Sequence, residues 1–307
     1  MDVDGLNNAV ILIDKPAGIT SFDVIRRLRK QLHVKRAGHC GTLDKSASGL
    51  LIVCTGNATK LTTFLVEGRK EYVGTVQLGV ITDTCDAEGT VVEKREVPPD
   101  VYERVQKIKE RFTGTIEQVP PEYSALKIEG KRASDRARSG EELEMKPRTV
   151  EIHSLDVEEV DRGNARMVIR VTCSKGTYIR ALARDTGILL GTGAYLSGLR
   201  RVGSGSFRVE NAVTPDKFDE ILLQGEDMAG FVMLPHQALK DFGSVTVSRN
   251  RANKVRHGAP VREEDVEDIT RREGRYFQVL DPDGNLLAVA EIEPEPFRVK
   301  YRYVFPA

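Results

Sequence analysis

Gly38-His39-Cys40-Gly41-Thr42-Leu43-Asp44-Lys45-Ser46-Ala47-Ser48-Gly49 runs straight into Leu50-Leu51-Ile52-Val53-Cys54. Three glycines in the first twelve residues bend a backbone tightly or let another molecule approach it. The continuous apolar run that follows reads as a central strand covered on both faces. One acid, Asp44, stands in the loop just ahead of that strand. Side chains that do chemistry are often carried on loops held by rigid elements. An aspartate in such a loop can equally do no more than cap a turn.

Outward from this stretch the chain reads as alternating elements. Ala9-Val10-Ile11-Leu12-Ile13 is a second buried strand, closed by the turn Asp14-Lys15-Pro16-Ala17-Gly18. Thr20, with Asp23 three residues on, forms a capping box that starts a helix. Ile25, Leu28 and Leu32 are its apolar stripe and the Arg/Lys residues its other face. Residues 58–65 read as helix, 71–78 as strand and 79–89 as a polar turn region. Val101, Val105, Ile108 and Phe112 mark an amphipathic helix, and residues 117–148 form a long, polar, basic segment, either disordered or a binding loop. Residues 166–173 alternate as a strand, 178–190 and 218–223 read as helices, and a boundary falls near 235–243. Beyond it, short strands at 245–247, 276–280, 286–292 and 299–305, with a turn at Asp281-Pro282-Asp283-Gly284, suggest a small β-barrel or sandwich. The expected class is α+β: a mixed domain over 1–240 and a small β-rich one over 241–307.

The 307 residues hold 46 basic and 46 acidic side chains. Zero net charge argues against a general polyanion binder, but the charge is segregated. Arg26, Arg27, Arg29, Lys30, Lys35 and Arg36 come with no acid between them, as do Arg249, Arg251, Lys254, Arg256 and Arg262. Such stripes can bind a polyanion locally, or can be solvated faces. No stretch approaches the ~20 apolar residues of a membrane span, and the acidic start of the chain does not resemble a secretion signal; a cytoplasmic protein with reduced thiols is expected. Cys40, Cys54, Cys85 and Cys173 form no C-x-x-C pair. No metal spacing and no glycine-rich nucleotide motif appears, so no cofactor is expected.

Seven blocks in order resemble the TruB family of pseudouridine synthases. They are Lys15-Pro16-Ala17-Gly18-Ile19-Thr20-Ser21; the Gly38–Leu51 stretch; Asn57-Ala58-Thr59-Lys60; Tyr72 with Thr82-Asp83-Thr84-Cys85-Asp86; Val119 to Lys127; Ser174-Lys175-Gly176-Thr177-Tyr178-Ile179-Arg180; and Leu199-Arg200-Arg201. The resemblance covers about residues 9–215. It implies a mostly antiparallel sheet flanked by helices, and isomerisation of uridine to pseudouridine in RNA. Residues from about 245 resemble, more loosely, a PUA domain, a small RNA-binding β-barrel.

By the same resemblance, Asp44 is the essential carboxylate; the sequence leaves open attack on the sugar, attack on the base, or proton transfer. Tyr72 would stack on the flipped uracil, Arg180 would pair with Asp44, and Tyr178 would line the pocket. His39 would fill the gap left by the extruded nucleotide, Asp86 would contact the base region, and Leu199 would be an apolar wall. Lys15 would contact RNA phosphate or support the fold, and Lys127 belongs to the RNA-binding set. Residues 117–148 would be a thumb that clasps an RNA loop, as in stand-alone enzymes rather than guide-dependent relatives. The implied partner is tRNA, held by its T arm with uridine 55 modified and its acceptor side on the C-terminal domain, and the enzyme is expected to be monomeric. An RNA-binding protein or tRNA-folding chaperone would need the basic surfaces but not the carboxylate. The chain departs from the family pattern at Lys45, where proline is usual, at Cys40, and at Ser134 and Arg136, where aromatics occur.

Overall fold

Leu50, Leu51, Ile52, Val53 and Cys54 are all fully buried, because the strand they form has a neighbour on each side and packed side chains on both faces. In the computed structural model, which describes residues 3–124, 126–128, 130–141, 143–294 and 297–305, this strand is β3 (Ser48–Thr55), preceded by β1 (Val10–Lys15) and β2 (Ala37–His39). The N-terminal part of the chain continues through β4 (Lys70–Leu78), β5 (Val80–Thr82), β6 (Val91–Lys94), β7 (Gly114–Gln118), β8 (Lys127–Ile128), β9 (Lys131–Arg132), β10 (Arg148–Asp161), β11 (Arg166–Cys173), β12 (Ala194–Ser204), β13 (Phe207–Arg208) and β14 (Val232–Met233). Its helices are α1 (Ser21–Gln31), α2 (Thr62–Leu65), α3 (Gln106–Phe112), α4 (Ala133–Arg138), α5 (Ile179–Leu190), α6 (Pro215–Gln224) and α7 (Pro235–Ala238).

The main sheet runs β14-β1-β3-β12-β4-β11-β10-β7. Its pairs are antiparallel except β12 with β3, where Arg200 lies opposite Ser48 and Arg201 opposite Gly49. This α+β arrangement agrees with the expected class. The sheet carries two apolar cores: one joins β1 and β3 to α1 and α6, the other joins β4, β10 and β11 to α3 and α5. Tyr72 on β4 and Leu199 on β12 pack against both, so a seam between the cores runs past the loop that carries Asp44.

The capping box at Thr20 forms as read, with Thr20 Oγ1 accepting from Asp23 N–H and Asp23 Oδ2 from Thr20 N–H. Residues 79–89 are more than a turn. They include β5, which pairs with β6 in a small hairpin whose second strand is fully exposed and so has no apolar alternation to reveal it. The segment read as disorder or loop is an insertion in an antiparallel hairpin: β7 and β10 pair up to Gln118 opposite Arg148. Inside it lie the β8–β9 hairpin and α4, anchored where Ala133 N–H donates to Leu126 C=O at 2.7 Å and Ser134 N–H to Ser124 C=O at 3.0 Å.

A second sheet follows: β15 (Gly243–Val247), β16 (Val266–Thr270), β17 (Tyr276–Leu280), β18 (Leu286–Pro294) and β19 (Phe297–Val304), in the order β16-β15-β17-β18-β19. β15 and β17 are parallel and the other pairs antiparallel. Helix α8 (Arg249–Val255) follows β15. Neither β16 nor α8 was read from the sequence. β16 is an edge strand inside an acidic run, and charge on an edge strand guards against further pairing. Leu286, Val289 and Phe305 are buried in the same core as β1, β3 and α1, and the Tyr276 ring meets Phe64 edge-on at 5.0 Å. No helix among the described residues is long and apolar enough to cross a membrane.

Candidate active site

Asp44 is held in place through its backbone. The Ser21 hydroxyl, at the start of α1, donates to Leu43 C=O at 3.0 Å and accepts from Leu43 N–H at 2.9 Å. Lys45 C=O accepts from Gly18 N–H at 2.8 Å, and Asp44 C=O from Ala47 N–H at 3.2 Å. At the loop's end, Gly49 has φ +103°, and a Cβ there would stand 2.3 Å from Arg201 C=O. Only glycine lets β12 lie parallel to β3 at this point. The loop that lacks the usual proline is therefore pinned by hydrogen bonds on both sides of Asp44. The departure at Cys40 is a packing choice, since its thiol is buried 3.8 Å from the thiol of Cys54.

The Asp44 side chain is 41% exposed, and its Oδ2 lies 2.9 Å from Nε of Arg180, whose side chain is 7% exposed. Arg180 sits in the first turn of α5, directly after the N-cap Tyr178 and Ile179. It also donates from Nη2 to Tyr123 C=O at 3.0 Å and from Nη1 to Thr84 C=O at 3.3 Å, and Nη1 lies 3.2 Å from Asp86 Oδ2. One guanidinium thus holds two carboxylates, one facing solvent and one buried. Asp86 Oδ1 accepts from Thr84 Oγ1 at 2.6 Å and from Glu88 N–H at 3.0 Å. Both Asp86 oxygens have partners inside the protein, one of them Arg180, and Asp86 also borders the wider cleft that His39 lines.

Tyr72, Tyr178, Leu199, Arg180 and Asp44 line one cavity of about 270 Å³. Burial pushes the Tyr72 and Tyr178 hydroxyls above their usual 10, although Arg201 lowers Tyr72 in part and Ser124 and Arg180 lower Tyr178 in part. Both phenols therefore stay protonated at neutral pH. Buried Gln118, at the base of the long insertion, accepts from Tyr178 N–H at 2.9 Å and donates to Tyr178 C=O at 3.1 Å. His39 lies with Asp44 and Arg180 on a second, wider cleft of about 840 Å³, which Ser134 and Arg138 of α4 also border. Burial, with Arg201 next in effect, holds the imidazole below its usual 6.5.

Lys15 lies elsewhere. It is fully buried, and its ammonium donates to Pro16 C=O at 2.9 Å and Ile19 C=O at 2.8 Å, with Lys45 C=O at 3.5 Å. Burial lowers it to about 8. It ties the turn after β1 to the Asp44 loop and is out of reach of phosphate. The Lys127 side chain lies outside the described residues.

Two cavity residues went unassigned in the sequence reading. Arg201 is 2% exposed and donates from Nε to Leu50 C=O at 2.8 Å and from Nη2 to Gly41 C=O at 3.1 Å. Lys70 is 5% exposed, donates to Val66 C=O at 3.0 Å and Gly68 C=O at 2.8 Å, and is lowered to about 8, chiefly by burial and then by Arg201. Both could have been found: Lys70 stands two residues before Tyr72 and Arg201 two after Leu199, and side chains two apart on a strand share a face. The departures at Ser134 and Arg136 fall on α4, where Arg136 pairs with Glu141. The second basic run is largely neutralised from within, by Arg249–Asp283, Arg251–Asp265, Arg256–Asp281 and Arg262–Glu264 pairs. Among the described residues no group of His, Cys, Asp or Glu is arranged to hold a metal ion.

Residues 29–179 match the model of the family described as TruB family pseudouridylate synthase (N terminal domain). A tRNA pseudouridine synthase B of Bacillus cytotoxicus is 38% identical over 291 residues, covering 93% of each chain. One from Cupriavidus metallidurans is 40% identical over 294 residues, covering 95% of this chain and 92% of its own. A solved chain of a Cbf5-Nop10-Gar1 complex is similar with a TM-score of 0.77 at 26% identity, over 100% of this chain and 88% of that one. With the Asp44–Arg180 pair, the two tyrosines and the sheet order already in place, these matches settle the assignment: the chain belongs to the TruB family of pseudouridine synthases.

Proposed function

We propose that this enzyme isomerises uridine to pseudouridine in tRNA, at position 55 of the T arm, without a guide RNA. The observation that carries the reading is the state of Asp44: a carboxylate gripped by a buried arginine at 2.9 Å yet 41% exposed, at the mouth of a cavity walled by Tyr72 and Leu199. The reaction breaks the bond from the sugar C1′ to N1, turns the detached base and joins C1′ to C5; C5 loses a proton and N1 gains one, so the product is an isomer. Nothing is oxidised or reduced and no fragment leaves. Arg180 holds Asp44 by a charge-assisted hydrogen bond and aims it at the sugar–base bond. Tyr72 offers a ring for the flipped uracil to stack on. Tyr178, neutral at working pH, is the cavity hydroxyl suited to relay a proton. His39, on the wider cleft, faces the RNA and takes the place of the extruded nucleotide.

The insertion between β7 and β10 serves as the thumb, with Lys127 among its RNA contacts, and its base is coupled to the site through Gln118 and Tyr178. The relatives' name, tRNA pseudouridine synthase B, supports a tRNA substrate. The C-terminal sheet would meet the acceptor side through a groove bordered by Arg298 and Lys300. The enzyme would work as a cytoplasmic monomer. The test is tritium release from 5-[³H]uridine-labelled tRNA or a T-arm stem-loop, by wild type and Asp44→Asn, with binding measured on the same RNA. Release by wild type alone, with binding by both, is the expected result. Binding by both with release by neither, on full-length unmodified tRNA, would leave RNA binding or tRNA folding as the function.

A further inference from the structure

The first basic run differs from the second in one respect. Among the described residues, Arg29, Lys30, Lys35 and Arg36 are exposed with no carboxylate in ion-pair range, whereas four of the five basic residues of the 249–262 run are paired. Arg27 is taken up by Asp216 and Asp219. From Thr20 to His39 the only acid is Asp23, which caps α1 and pairs with Arg26. Unneutralised cations this close repel one another and cost stability unless a polyanion offsets them.

The position of this run relative to the cleft is the second observation. Phe22 is 63% exposed, unusual for a phenylalanine, and borders the cleft that holds Asp44 and His39. Phe22, Arg26 and Arg29 are spaced i, i+4 and i+7, so they lie along one outer face of α1. At 1.5 Å of rise per residue, Arg29 stands about 10 Å along the axis from Phe22. Lys35 and Arg36 follow the helix and lead into β2, whose last residue is His39, back on the cleft. The stretch leaves the cleft at an aromatic ring and returns to it at an imidazole, with free positive charge between.

We propose that the outer face of α1 and the segment after it form a second RNA-holding surface, which grips the backbone of the strand running out of the catalytic cleft while Phe22 stacks on an unpaired base at the cleft mouth. This rests on the reading of tRNA as substrate, and it assigns to residues 22–36 a positioning role distinct from the chemistry.

The test compares wild type, Arg29→Gln/Lys30→Gln and Phe22→Ala as full chains on an unmodified T-arm stem-loop. Dissociation constants are measured from 50 to 200 mM KCl, and kcat and KM by tritium release. For the double variant the dependence of log Kd on log[salt] should become shallower by about 2, one per lost phosphate contact. Its kcat at saturating RNA should stay within about twofold of wild type, and its melting temperature should not fall, because both side chains are exposed and unpaired and their mutual repulsion is relieved. Phe22→Ala should raise KM by about 5- to 160-fold, the value of one stacked base. An unchanged salt slope and Kd in the double variant, with wild type active, would overturn the proposal. So would a fall in kcat with KM unchanged, which would mean that α1 acts only through the catalytic loop. Failure of wild type itself to bind or modify tRNA would sink the underlying reading and the proposal together.

Discussion

Removing Asp86 should unfold this protein more readily than removing Asp44, although both pair with Arg180. Asp86 is 7% exposed in its side chain against 41% for Asp44. Asp86→Ala deletes the 3.2 Å pair with Arg180 and two further acceptances, from Thr84 Oγ1 at 2.6 Å and Glu88 N–H at 3.0 Å. Arg180 keeps Asp44 as its counter-charge, but two part-buried donors, Thr84 Oγ1 and Glu88 N–H, lose their acceptor at about 1–3 kcal/mol each, so the loss is about 3–5 kcal/mol with the weakened buried pair included. For a domain of this size that corresponds to a melting temperature lower by roughly 6–10 °C. Asp44→Ala removes one half-exposed ion pair, worth about 0–1 kcal/mol, and should shift the melting temperature by roughly 2 °C at most. Activity should divide the other way: none for Asp44→Ala, and a reduced but measurable rate for Asp86→Ala, where Arg180 keeps Asp44 and the Thr84 and Tyr123 carbonyls. Thermal unfolding by circular dichroism and tritium release on the same preparations make the comparison. If Asp44→Ala proves as destabilising as Asp86→Ala, or Asp86→Ala is as inert in catalysis as Asp44→Ala, the division into an anchored and a presented carboxylate is wrong.

Three other outcomes follow from the same geometry. Ser21→Ala strips both hydrogen bonds from Leu43, so single-turnover rates should fall about 10- to 100-fold through misplacement of Asp44, with RNA affinity unchanged; a normal rate would show that the loop does not need this tether. Lys70 sits at about 8 in the folded protein and 10.5 when free. The unfolded chain therefore binds more protons between those values, and stability should rise with pH across that window by about 3 kcal/mol; denaturant melts should show this rise in wild type and lose it in Lys70→Met. Burial holds His39 below 6.5, so the unfolded chain again binds more protons just below 6.5, and stability should fall as pH drops through that window. His39→Phe should flatten the fall, and an equal fall in both proteins would place its origin elsewhere.

Local pattern carried much of this protein. The apolar run after Gly49 could only be a covered strand, and Thr20 with Asp23 could only start a helix economically, because capping and side-chain periodicity act within a few residues. Ordered blocks of residue types made the family and the Asp44, Tyr72, Tyr178 and Arg180 set legible along the chain. What local pattern could not carry was which polar groups are spent inside. Lys15 looks on paper like a ligand-facing residue, yet three carbonyls absorb its ammonium, and Asp86 borders the cleft with both oxygens already partnered by Arg180, Thr84 and Glu88. Arg201 and Lys70 look like surface charges and are buried in the cavity wall. The two basic runs are indistinguishable in composition, and folding neutralises one with Asp265, Asp281, Asp283 and Glu264 while leaving most of the other bare. Whether a charge is available to a ligand depends on the partners within about 4 Å of it, and several of those partners stand tens to nearly two hundred residues away in sequence, as Arg27 and Asp219 do. Side-chain type is written in the chain, but its electrostatic partner is chosen only when the sheet closes.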